Sequence, residues 1–282
     1  MIWRRSPTSD WTLPLLLLPG VGVLGVLFGL PLVWALLGSF GLQDGGHFTA
    51  ANYASLFTDP LSRAAFFRSV YYGAVPVVLT LLISVPLAAL IQKRFLGQKL
   101  FSGLYKIPLA VPSIVVAFMA LTLLERGGFI DRLLAPLGLN LPRLVRDPAG
   151  IGVILSAVWK NVPFMTLIIT GAFAAIPEEI TNAARSLGAS RLKTFFRVQI
   201  PLAMPGITAA LLLDFILSLG SFALPNLLGP AYPPALTVLM YDAFQRGEWA
   251  RVYAIGMILT AFAMLVLGLY YALLGRRAGG GR

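Results

Sequence analysis

Six long, uninterrupted apolar stretches dominate the sequence, at approximately 12–40, 68–92, 107–124, 150–175, 202–224 and 250–274. A helix needs about 20 apolar residues to cross the hydrocarbon core of a bilayer. Continuous runs predict helices, because the strands of a membrane barrel would alternate. The expected fold is therefore an all-α membrane protein with six transmembrane helices. The third window is the shortest. Composition agrees: of 282 residues, 58% are hydrophobic and 12% charged, against about 25% charged in soluble domains. A soluble core could not hide that much apolar surface, and a disordered chain would be poor in it.

Prolines Pro31, Pro76, Pro86, Pro112, Pro163 and Pro205 fall inside these windows. Transmembrane helices tolerate proline where neighbours satisfy the freed carbonyls. Gly25 and Gly29 form a Gly-x-x-x-Gly spacing in the first window, a pattern of close helix packing that also arises from the general glycine enrichment of membrane helices. The start, Met1-Ile2-Trp3-Arg4-Arg5 before an apolar run from Trp11, resembles a signal peptide. The run far exceeds the ~7–15 residues of a signal core, so it reads as an uncleaved first span.

Basic residues set the orientation. With both termini inside, thirteen Lys and Arg fall on inner segments, among them Arg4, Arg5, Lys93, Arg94, Lys99, Lys106, Arg276, Arg277 and Arg282. Eight arginines fall in outer loops, offset there by seven acids including Asp44 and Asp59. The expectation is residues 1–11 as a cytoplasmic N-terminus, 12–275 as the transmembrane unit and 276–282 as a cytoplasmic tail, Gly-rich and disordered from Ala278. The net charge of +11 belongs to these loops and forms no continuous basic face, so nucleic acid is not an expected partner; membrane lipid is. With no cysteine and His47 as the single histidine, thiolate or histidine metal clusters are excluded. In the outer segment 125–149, the stretch Gly128–Leu139 could form a short amphipathic helix at the interface.

One inner loop carries more information than its charge. Pro177, Glu178 and Glu179 suit the first turn of a helix. Ile180, Ala183, Ala184 and Leu187 follow at i, i+3, i+4 and i+7 as one apolar stripe, and Glu178, Asn182 and Arg185 share another face. Gly188 is placed to end the helix. A second short helix then presents Leu192, Phe195 and Phe196 before Pro201 opens the next span. An interfacial helix on lipid would carry large apolar residues and a basic rim. Small residues on the stripe favour docking against another protein.

Ala183, Ala184, Gly188, Ile200, Pro201 and Leu202 match, in order and spacing, the EAA motif of permease subunits from binding-protein-dependent ABC importers. The surrounding Ala-Ala-Arg-Ser-Leu-Gly-Ala-Ser also resembles that family, and the resemblance covers roughly residues 66–272. It implies a type I fold in which residues 178–188 form a cytoplasmic coupling helix between spans four and five. That helix would dock into a groove of the ATP-hydrolysing subunit. It implies a second permease subunit of the same or another kind, a solute-binding protein outside, alternating access, and a bacterial cytoplasmic membrane. The motif's glutamate position is Asn182, which can hydrogen-bond but forms no ion pair; Glu178 or Glu179 could supply the charge from a neighbouring turn. No Gly-x-x-x-x-Gly-Lys-Ser/Thr phosphate loop is present, so no cofactor is expected on this chain. ATP and Mg belong, by the resemblance, to the partner ATPase, and the chain itself is not an enzyme.

Two charges lie within spans, Lys160 in the fourth and Asp214 in the fifth. Intramembrane charges mark function or pair with one another, and both readings are open. In the functional one, Lys160, Asp214 and Ser218 line the solute pathway and Asp214 attracts a cationic solute. The segment Gly220–Pro230, with Leu239–Phe244 and Trp249, resembles permeases for polyamines, phosphonate-type compounds, ferric iron or thiamine more than sugar permeases. It also fits an ordinary outer re-entrant turn. A self-powered carrier or channel would need inverted repeats or a relay of ionisable residues, and a membrane enzyme a cluster of acids, bases or ligands. Neither pattern is evident.

Overall fold

The structure, a computed structural model, describes residues 12–43, 47–93, 95–140 and 142–279. The cytoplasmic N-terminus expected at 1–11, and Asp44, Arg94 and Arg282 in the charge count, lie outside them. Among the described residues, six helices are long and apolar enough to span a bilayer: Pro14–Ser39, Pro60–Ile91, Ser113–Leu137, Ile151–Ala174, Arg191–Leu219 and Trp249–Ala272. They are numbered here as spans one to six. The described residues contain helices and no strands.

Spans two, four and five form the centre. Toward one end, Val77, Met165, Ile169, Phe173, Ala203, Ile207 and Ala210 pack together. Toward the other, Tyr72, Val116, Ala117, Val153, Ala157, Leu224 and Leu228 make a second cluster with span three. Small residues permit the closest approaches. Gly206 of span five lies so tightly against Ala172 of span four that a β-carbon would collide with it. Ser84 of span two donates to the Val162 carbonyl of span four at 3.2 Å, a cross-span bond beside Pro163.

Span one leans on span six and otherwise presents Leu15, Leu16, Val26, Phe28 and Leu32 outward, as a lipid-facing helix does. Gly25 and Gly29 do not mediate close packing within this chain, since a β-carbon on either would meet nothing within 4 Å. They bound a π-helical turn, Gly25–Gly29, in which the Leu30 amide donates to the Gly25 carbonyl. Span five repeats this device: Phe195–Gln199 is π-helical and the Ile200 amide donates to Phe195. In both, the next residue is proline, Pro31 or Pro201. A proline ring would collide with the carbonyl four residues back, and the widened turn gives that carbonyl room. Pro201 therefore does not open the fifth span. The short helix at Arg191–Thr194 runs on through the π turn into Ile200–Leu219 as one rod.

The third window differs most from expectation. It holds two helices, Ile107–Ala110 and Ser113–Leu124, with a break at Val111 and Pro112, and a further helix, Gln98–Leu104, precedes it. Proline disfavours the helical region for the residue before it, and Val111 is extended at ψ 121°. Past Leu124, where the Ser113–Leu124 helix ends, Phe129–Leu134 and Ala135–Leu137 form a short helix in the stretch where one is expected. At the far end, Asp59 caps span two, its carboxylate accepting from the amides of Leu61 and Ser62 and from the Ser62 hydroxyl. Arg251 of span six lies 3.8 Å from the same carboxylate. The last helix continues to Gly279, so Ala278 and Gly279 are helical rather than disordered.

Candidate functional site: a loop helix and an intramembrane cavity

Residues Glu178–Ser186 form a helix that crosses the connection between spans four and five. Pro177 sits one position earlier than expected, at the cap, with extended backbone at ψ 134°. Glu178 and Glu179 occupy the first turn and Arg185 the last, each complementing the helix dipole. The Leu187 amide closes the last turn on Ala183. Gly188 follows with φ +84°, a left-handed conformation that a β-carbon would strain. The apolar stripe is bare: Leu187 is 89% exposed, Ile180 and Ala183 are exposed, and Ala184 is half-buried. Among the described residues, none buries Ile180, Ala183 or Leu187. Asn182 is exposed on the neighbouring face.

The second feature is a cavity of about 360 Å³ between spans two, four and five, the start of the Ser113–Leu124 helix and the Gly220–Pro225 segment. Lys160, Asn161, Ser113, Ser218 and Ser221 supply its polar walls, with Tyr72 beside them. Lys160 and Asp214 do not pair. The Lys160 ammonium donates to the Val111 carbonyl at 2.7 Å, the carbonyl at the break in the third window. Asp214 is 1% exposed and neither of its oxygens accepts a hydrogen bond. Asn161 lies beside it but donates to the Ser218 hydroxyl at 3.1 Å. Of the three residues expected to line a pathway, Lys160 and Ser218 reach the cavity wall and Asp214 does not. The structure adds Asn161, Ser113, Ser221 and Tyr72. Asn161 was legible as a second polar residue beside Lys160. Tyr72, in an apolar run, had no such signal.

The Gly220–Pro230 segment is not a bare turn. Ala223–Leu228 is a short helix with Leu224, Pro225 and Leu228 buried, and it closes one side of the cavity. Among the described residues, no group of His, Cys, Asp or Glu could hold a metal ion.

Residues 81–279 match the family described as binding-protein-dependent transport system inner membrane component. The chain is 29% identical over 272 residues to the spermidine/putrescine transport system permease protein PotB of Haemophilus influenzae, covering 93% of this chain and 90% of that one. It is also 29% identical over 211 residues to the sn-glycerol-3-phosphate transport system permease protein UgpA of Yersinia pestis, covering 72% and 71%. A chain from the crystal structure of a bacterial ABC transporter that imports the acidic polysaccharide alginate superposes with a TM-score of 0.80 at 19% identity, over 96% of each chain. PotB and UgpA match at equal identity, so identity alone does not separate the expected polyamine-like subgroup from others. Family match, six apolar spans and shared fold agree: the chain belongs to the binding-protein-dependent transport system inner membrane component family, as a multi-pass permease subunit of an ABC importer.

Proposed function

We propose that this permease couples ATP hydrolysis on partner subunits to solute movement through the Glu178–Ser186 helix and the residues that follow it. The uncovered stripe of Ile180, Ala183, Ala184 and Leu187 carries this reading. An amphipathic helix that leaves small residues open between two large apolar side chains, Ile180 and Leu187, fits a protein groove, which small residues can approach closely. The charged residues off the stripe, Glu178, Glu179 and Arg185, fit the rim of such a groove, with Asn182 at the position where the motif has glutamate. The partners are two ATPase subunits carrying ATP and Mg, a second permease subunit and an external solute-binding protein. This assignment places both termini and the 177–201 connection in the cytoplasm, within a membrane unit of 12–275. Closure of the ATPases draws two such helices together, and the spans rock between inward-open and outward-open states.

For the solute, the similarity to PotB supports a polyamine, and an acid within span five is the one intramembrane feature that fits a cation. The cavity walls, whose one charge is Lys160, argue otherwise. A self-powered carrier would need linked ionisable groups, and Lys160 and Asp214 share no bond.

The test is recovery of the chain from its native membrane with its partners. A stoichiometric P-loop ATPase is the expected companion, and it should be lost when Ala184 is replaced by Trp. Recovery of a lone, active transporter would overturn the reading. Whether Glu178 or Glu179 replaces the missing motif carboxylate is decided by Glu178→Gln and Glu179→Gln. The idea fails if transport-linked ATPase activity survives in both.

A further inference from the structure

Lys160 brings the one charge to the cavity wall, and that charge is positive. A lysine ammonium has three N–H donors, and a single hydrogen bond, to the Val111 carbonyl, is made. Among the described residues it forms no ion pair. The acid of span five, Asp214, is not a wall residue. The remaining polar groups also suit an acceptor-rich ligand: Ser113, Ser218 and Ser221 present hydroxyls and Asn161 an amide. Ser113 is the first residue of the 12-residue helix Ser113–Leu124, so the leading amides and the positive end of the dipole stand at the same wall. Tyr72, on that wall, is 3% exposed; its hydroxyl lies against Gly150 with the Arg68 guanidinium over its ring, so Tyr72 gives the wall its aromatic body.

We propose that this cavity is a binding subsite for an oxyanion group of the transported solute, a carboxylate or phosphate, with Lys160 as its charge partner. The inference rests on the permease reading for what the site serves. Without an acid on the wall, an ammonium in a low-dielectric cavity repels a polycation and attracts an anion. The hydroxyls and amides then complete the anion's hydrogen bonds, which are strongest when the acceptor is charged.

The experiment is thermal unfolding of the protein as purified from its native membrane, with whatever subunits travel with it. Inorganic phosphate, acetate and spermidine are titrated in parallel at constant ionic strength. The expected result is a saturable rise in Tm with phosphate or acetate and none with spermidine; the two anion arms decide which oxyanion is preferred. Lys160→Met should weaken the anion midpoint by roughly tenfold or more, the loss of one charged hydrogen bond, while Lys160→Arg retains it. Should Lys160→Met not fold, the double variant Ser113→Ala, Ser221→Ala keeps the Val111 bond and must also weaken the response. No saturable anion effect, a saturable spermidine effect, or an anion midpoint unmoved in these variants would overturn the site. Absence of a co-purifying ATPase would instead count against the permease reading, and the titration would still decide the site.

Discussion

The Lys160 ammonium stands 2.7 Å from the carbonyl of Val111, bridging span four to the break before Pro112. A helix interrupted within the membrane leaves backbone acceptors that lipid cannot satisfy, and this lysine satisfies one of them. Replacing Lys160 by Met is expected to cost about 1–3 kcal/mol, the loss of a charged donor to a part-buried acceptor. Chemical unfolding in detergent measures it. Lys160→Arg, with its longer reach, should lose less.

The lack of a bond between Lys160 and Asp214 makes a sharper prediction. A charge-exchanging double variant, Lys160→Asp with Asp214→Lys, should not recover the stability lost in the single variants. The coupling energy from the cycle is expected to be no more than about 0.5 kcal/mol, as for sites without a direct interaction. A value several times larger would show that the two charges communicate.

Gly206 and Ala172 meet without room for another atom. Gly206→Val should overpack the contact between spans four and five, at about 1–3 kcal/mol. The readout is the unfolding midpoint, with Ala172→Gly tested as a compensating change on the facing helix.

The loop helix should behave in the opposite way. Leu187→Ser changes an 89% exposed side chain and should move stability by no more than about 0.5 kcal/mol. It should nevertheless reduce the amount of ATPase recovered with the permease. Equal loss of folding and partner binding would place Leu187 in the chain's own packing instead.

Asp59 carries the pH dependence. The Ser62 hydroxyl donating to its carboxylate is the main reason its pKa lies below the ordinary 3.8, helped by the Ser62 and Leu61 amides and by Arg251. A depressed acid stabilises the fold above its unfolded pKa and loses that contribution as pH falls through the folded value. Asp59→Ala should therefore lower Tm at pH 7, and the gap from the wild type should close below about pH 4. A gap that stays constant to pH 3 would show that the cap does not depend on the charge.

Local signals made much of this protein readable from its residues. Hydrophobic length located the spans, and Pro177, the paired glutamates and Gly188 bounded the loop helix to within a residue because each acts within one turn. Features set by a proline's neighbours were harder to see. The break at Val111 lies inside an apolar run, and only the pairing of Pro112 with a polar Ser113 hints that the helix stops there. The π turns before Pro31 and Pro201 were invisible for a similar reason, since a kink, a break and a widened turn all begin with the same residue. The partner of Lys160 was beyond reach because a freed carbonyl has no letter in the sequence, whereas Asp214 does.

The unbroken course of Arg191–Leu219 has a mechanical consequence. At ~1.5 Å per residue, about 40 Å of helix joins the end of the loop to the cavity wall at Ser218. A push delivered beyond Gly188, where the backbone turns through φ +84°, meets no flexible loop along that distance. On the proposed function, span five would act as a stiff lever turning about Gly188, and a small tilt at the loop would become a displacement at the cavity wall.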